Sequence, residues 1–142
     1  MAKKHADFGD RDQRTRKACE RLGTDNPKCA VCGETNPLCL ELHHIAQHKF
    51  SAETIILCSN HHDNASDWQK EHPVKIEGCT SILEVSGHWL LGLGDLLRIA
   101  ADEPFAEQLR ELLLYVASKL RTFGIALIDM ARLAPTVMAE AS

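Results

Sequence analysis

The sequence predicts an α+β fold, in which a small module of two strands and a helix precedes a mainly α-helical C-terminal region. Three observations predict it. Two pairs of metal-ligand residues, Cys29-x2-Cys32 and Cys58-x2-His61, flank two short strand candidates. A polar run rich in Asp and Asn follows the second pair and suits a short helix. From residue 80 onward, apolar side chains recur at spacings of three and four, the period of helices with one buried face. The chain divides accordingly into a basic arm (residues 1–25), the metal module (26–73) and a helical hairpin (80–135).

In the arm, Lys3, Lys4, Arg11, Arg14, Arg16, Lys17 and Arg21 outnumber Asp7, Asp10, Asp12 and Glu20. Asp10 is placed to cap a helix over about residues 11–22, and Gly23 to end it. Such a helix is either a solvated surface or an arm that contacts phosphates. In the module, Leu40 to Ile45 and Thr54 to Leu57 read as strands joined by the polar loop Ala46 to Glu53. Ser59 to about Lys70 reads as a helix, and Pro73 stops it.

In the hairpin, Ser81 and Glu84 have capping-box form. Behind them Ile82, Leu83, Val85, Trp89, Leu90, Leu93, Leu96, Leu97 and Ile99 give a broad apolar face. Gly87, Gly92 and Gly94 either weaken that helix or let another backbone approach closely. Asp102 and Pro104 open a second helix, predicted to end at Pro135 and leave a frayed tail to Ser142. Its seam is Ala106, Leu109, Leu113, Val116, Leu120, Phe123, Leu127 and Met130, widened by Leu112, Leu114, Ile125 and Ile128. One partner helix would not hide so wide a surface, so residues 104–134 are expected to pack on residues 81–101 and on a second chain, giving a homodimer.

Composition is that of a soluble globular protein, with 44% hydrophobic and 25% charged residues. The formal net charge of −4 does not by itself announce a nucleic-acid binder. No run of about 18 apolar residues lacks charge, so no membrane-spanning helix is indicated. The basic start is not followed by the apolar run of a secretory signal. The expected setting is therefore cytoplasmic, where thiols stay reduced. In that setting Cys/His pairs at close spacing read as metal ligands rather than as disulfides.

Thiolate and imidazole are the donors a structural Zn²⁺ prefers, four in a tetrahedron. A two-residue gap lets one tight turn present both ligands of a pair, and Gly33 suits the first turn. Cys29, Cys32, Cys58 and His61 are the expected zinc ligands, and one ion would clamp the hairpin shut. A core this small needs such a staple. His62 is the alternative fourth ligand, and His61 is preferred because it makes the two knuckles alike. Cys19, Cys39 and Cys79 lack partners at ligand spacing and read as packing residues.

Leu42-His43-His44-Ile45 places two histidines side by side on a strand, where neighbours point to opposite faces. One imidazole can hold a metal while the next serves another side of the site. Phosphodiester hydrolysis uses both roles: a divalent ion to neutralise the phosphate and a neutral imidazole to accept a proton from water.

Cys29-x2-Cys32, then Leu42-His43-His44-Ile45, then Ile56-Leu57-Cys58-x2-His61-His62, resembles the zinc-containing branch of the HNH endonucleases over about residues 26–70. The resemblance implies a ββα-metal fold that cuts DNA, with RNA left open as a substrate. His43 and His62 would hold a catalytic Mg²⁺, Mn²⁺ or similar ion, distinct from the zinc, and His44 would be the general base. Nearby arginines and lysines would hold phosphates. The sequence departs from the family at three positions. His61 stands where the second knuckle has cysteine, Glu53 where the family often has asparagine, and Ser66 where it often has its last metal ligand. Asp67 is the expected substitute for that ligand, with Asp63 and His48 as weaker alternatives. Two further readings stand beside the nuclease: a module of the same fold that binds nucleic acid without cutting, and a scaffold whose helices bind a protein.

Overall fold

The computed structural model describes residues 8–78 and 81–140. Lys3, Lys4 and Asp7 of the arm, Cys79, and Ser142 at the end of the tail lie outside the described residues. Among the described residues, four helices and a two-stranded antiparallel sheet make an α+β architecture. No helix of the described residues is long and apolar enough to cross a membrane.

Helix α1 spans Phe8–Leu22. Asp10 therefore lies inside its first turn rather than at the cap, and pairs with Arg14 one turn on. Gly23 ends the helix at φ +73°, and Thr24 N–H closes on Cys19 O, the bond of a glycine C-cap. Ala18 and Leu22 are the buried side of α1, and Arg21 donates to Leu40 O at 3.0 Å. Most of its charged side chains remain exposed.

Strands β1 (Leu40–His44) and β2 (Thr54–Cys58) pair with Leu40 opposite Cys58 and His44 opposite Thr54. Helix α2 (Ser59–Lys70) follows β2 without a linker. Leu40, Leu57, Cys29, Cys58 and Ala65 form one buried cluster with Leu22, Leu96 and Ile99. The module and the helical region thus share a core.

Helix α3 (Ile82–Ala101) starts at Ser81, whose hydroxyl accepts from Leu83 N–H. The capping box closes only halfway. Glu84 is fully buried and accepts from Ile76 N–H at 2.6 Å instead of turning back to the cap. The buried side of α3 also differs from the apolar face read in sequence. It comprises Glu84, Gly87, His88, Leu91, Gly92, Gly94, Asp95, Leu96, Ile99 and Ala101, while Ile82 is exposed. Close backbone approach explains the difference. A Cβ on Gly92 would lie 1.7 Å from Ile45 O, and one on Gly87 would lie 2.7 Å from Gly124 O. Only a residue without a side chain fits either place.

The second hairpin helix also begins differently. Pro104–Leu109 is a 3-10 turn, and helix α4 runs Arg110–Glu140. Ala106 N–H bonds Glu103 O, a tight i to i+3 turn that tucks Ala106 beneath the corner. The helical path passes Pro135 and continues to Glu140. A proline removes one donor and leaves its neighbours' bonds, so it does not always end a helix. Among residues 110–134 of α4, Ala117, Gly124, Ile128 and Ala131 are the buried positions. Small residues on both helices let them approach closely, and that contact displaces the predicted seam. Leu109, Phe123 and Met130 of the seam are 55–58% exposed.

Candidate functional site

Cys29 and Cys32 sit on a knuckle that Gly33 closes at φ +79°. Gly33 N–H bonds Cys29 O, Cys29 N–H bonds Glu34 O, and Ala30 N–H ties the knuckle to Ile56 O of β2. Cys58 occupies the N-cap of α2 and makes no side-chain cap bond, which leaves its sulfur for the cluster. His61 follows one turn later, buried on the same side. The four donor atoms lie within 4.8 Å of one another. Cys32 Sγ to Cys58 Sγ is 3.8 Å, and His61 Nδ1 lies 3.5 Å from Cys29 Sγ and 3.2 Å from Cys58 Sγ. A tetrahedral ion with ordinary Zn–S and Zn–N bonds sets about 3.8 Å between sulfurs and about 3.6 Å between sulfur and nitrogen. The cluster can therefore hold a metal ion with little movement. His62 does not belong to it.

The Cys29 and Cys32 thiols shift in opposite directions. Burial raises the Cys29 thiol, but backbone amides of Cys32, Cys58 and Val31 and the His61 ring outweigh it and bring it to about 6. The Glu34 amide favours the Cys32 thiolate, yet burial and the Cys29 and Cys58 sulfurs push it up to about 11. One thiolate among these sulfurs opposes the next, which is the repulsion a bound cation relieves.

A second feature is a cavity of about 590 Å³ lined by β1, the loop that follows it, α2 and residues 72–74. His43, His44 and His62 all line it, with His48, Lys49, Ser66, Gln69 and Lys70. His43 and His62 stand edge to face, ring centres 5.4 Å apart, while His44 faces His48 at 5.2 Å. The neighbours on β1 thus serve different parts of one cavity. Burial, helped by the nearby His62 and His44, lowers His43 to about 4, so its imidazole is neutral at neutral pH, as a metal ligand must be. Glu41 Oε2 and Asp63 Oδ1 lie 3.7 and 3.8 Å from His62 Nδ1.

Asp67 is not among the residues that line the cavity. Its carboxylate is turned to Lys70 Nζ at 2.6 Å and is largely exposed. The expectation that Asp67 replaces the ligand missing at Ser66 has no support in this arrangement. Position 66 points into the cavity and position 67 does not, because neighbouring residues on a helix diverge by about 100°. Among the described residues, the zinc-type cluster is the sole group of three or more His, Cys, Asp or Glu gathered closely enough to hold an ion. Cys39 is exposed, unlike a packing residue.

No family model, curated protein or solved structure matches the chain.

The geometry brings in three residues that sequence reading missed. Gln69 of α2 donates to His44 O at 2.7 Å and Ile45 O at 3.1 Å, pinning the end of β1. Gln47, held at φ +64°, donates to Gln69 O and meets His72, whose Nε2 donates to Asp95 at 2.6 Å. Glu103, from the corner between α3 and α4, accepts from His61 Nε2 at 2.8 Å. None of these carries a spacing signal, since each acts across more than 20 residues of chain. Glu53 reaches away from the cavity and accepts from Trp89 Nε1 at 2.6 Å.

Proposed function

We propose that this chain is a metal-dependent endonuclease of the HNH type, with a structural zinc at Cys29, Cys32, Cys58 and His61. The observation that carries the reading is the facing pair His43 and His62 in one cavity with His44, next to a Cys/His cluster of tetrahedral spacing. His43 and His62 are the proposed ligands of a Mg²⁺, Mn²⁺ or similar ion, which supplies charge neutralisation at the scissile phosphate. His44 is the proposed general base, taking the proton of the attacking water. Gln69, by holding the His44 carbonyl, fixes where that imidazole starts from. Lys49 at the cavity rim offers charge to the phosphates, while Lys70 is held by Asp67. The substrate on this reading is DNA, with RNA as the alternative polymer, and the exposed Leu109, Phe123 and Met130 favour a homodimer.

A second reading is a module of the same kind that binds nucleic acid without cutting. Ser66 in the cavity and Asp67 turned to Lys70 favour it, because they leave two histidines to hold the ion. Plasmid nicking in Mg²⁺, Mn²⁺, Ni²⁺ and EDTA separates the two. Divalent-dependent nicking supports the enzyme. A salt-sensitive DNA mobility shift with no nicking selects the binding module.

A further inference from the structure

Glu103 lies outside the segment that resembles a nuclease, yet its carboxylate touches a metal-ligand residue. It sits at the corner where α3 ends and the chain turns toward α4. Its own backbone is fixed there, with Glu103 N–H on Ala100 O at 3.2 Å and Glu103 O accepting from Ala106 N–H at 2.9 Å. The side chain reaches α2 and accepts from His61 Nε2 at 2.8 Å. Both side chains are largely withdrawn from water, 10% exposed for His61 and 22% for Glu103. The other ring nitrogen of His61, Nδ1, faces the thiols of Cys29 and Cys58.

We propose that Glu103 is a positioning residue for the metal centre and makes it a clasp between the α2 module and the α3–α4 corner. The proposal rests on the zinc reading above. A carboxylate on Nε2–H leaves Nδ1 as the free lone pair, fixes the plane of the ring, and makes Nδ1 a stronger donor. The coupling runs both ways. An ion on Nδ1 draws charge from the ring, strengthens the Nε2–H bond to Glu103, and so holds the corner against α2. Metal occupancy then controls the docking of the helical hairpin as well as the hairpin of strands.

The test uses the full chain, loaded with Zn²⁺ and titrated against a chromogenic chelator, beside Glu103→Ala and Glu103→Gln. Glu103→Ala should weaken zinc by about 10–100-fold, the usual effect of losing such a partner. Glu103→Gln keeps an acceptor without the charge and should fall between. Should Glu103→Ala fail to fold, Glu103→Gln decides alone, a weaker affinity supporting the proposal and an equal one refuting it. Hydrogen exchange supplies a second readout. Amides of residues 102–110 should be protected by zinc in the wild type and lose that dependence in the variants. A merely structural hydrogen bond would be restored by the amide acceptor of Glu103→Gln, leaving that variant's zinc affinity equal to the wild type, and that result overturns the role of Glu103. Wild-type chain that binds no zinc would instead overturn the zinc reading beneath it.

Discussion

Replacing Gly92 by alanine tests how the helical region sits on the module. A Cβ there would lie 1.7 Å from Ile45 O and 2.7 Å from the Ile45 carbonyl carbon. Both are backbone atoms, so no side-chain rotation relieves the clash. Helix α3 and the end of β1 must separate by about 1.3 Å to restore a 3.0 Å contact. Where Ile45 gives way rather than α3, its carbonyl shifts against the Gln69 amide of α2, whose bond to Ile45 O is already at 3.1 Å. Overpacking costs about 3 kcal/mol at the upper end of its ordinary range, and a loosened hydrogen bond about 1 kcal/mol. Alanine returns about 1 kcal/mol in helix propensity. The net loss is about 3 kcal/mol, or roughly 10 °C in Tm for a chain of this size. Gly94→Ala is the control, since it gains the same propensity and its Cβ would meet Ala117 O at 3.2 Å. Thermal melts of both variants should show Gly92→Ala far below Gly94→Ala. Equal melting would refute the seating of α3 on Ile45.

Three further outcomes are expected. Elemental analysis of protein purified without chelators should find one zinc per chain, and stripping it should unfold residues 26–70 by hydrogen exchange, because binding energy here is folding energy; protein that is folded without zinc contradicts this. Stability should fall in acid through His88, which is fully buried against Phe50 and which burial, then the charges of His72, Lys49 and Arg132, lowers to about 4. Its folded form refuses a proton that the unfolded chain takes below about 6.5, so its contribution is whole above that pH and is lost toward pH 4, about 2 kcal/mol at pH 5. His88→Phe should melt with a shallower dependence between pH 7.5 and 5, and an unchanged slope would discard His88 as the cause. Light scattering at micromolar concentration should give a dimer for the wild type and a monomer for the double variant Phe123→Glu, Met130→Glu, whereas a wild-type monomer removes the dimer.

Much of the local structure was legible because it depends on neighbours in sequence. Ser59 to Lys70 as a helix, the two strands within a residue, the Gly23 stop and the pairing of the two knuckles follow from turn chemistry and ligand spacing. The buried face of α3 was not legible, because its occupants Glu84, His88 and Asp95 are polar: Glu84 and Asp95 are reconciled with burial by Ile76 N–H and His72, and His88 stacks on Phe50 with neither ring nitrogen hydrogen-bonded. The seam of α4 was misread for the opposite reason. Large apolar side chains set the pattern, while Gly87, Gly124 and Ala117 set the contact. In the cavity, the sequence named His43, His44 and His62 but not Gln69 or Gln47, whose roles come from amides aimed at backbone groups. Asp67 lies off the cavity that Ser66 lines, because adjacency in sequence is divergence on a helix.

The nuclease reading is tested most directly by single-turnover cleavage of plasmid DNA, zinc-loaded wild type against His44→Ala, in saturating Mn²⁺ or Mg²⁺. We expect wild-type cutting that EDTA abolishes, and a loss of about 100-fold or more in His44→Ala, the scale of a missing general base, with folding and zinc content unchanged. Folded, zinc-loaded wild type that leaves DNA and RNA intact with every divalent ion would contradict the enzyme, and undiminished cutting by His44→Ala would contradict its base.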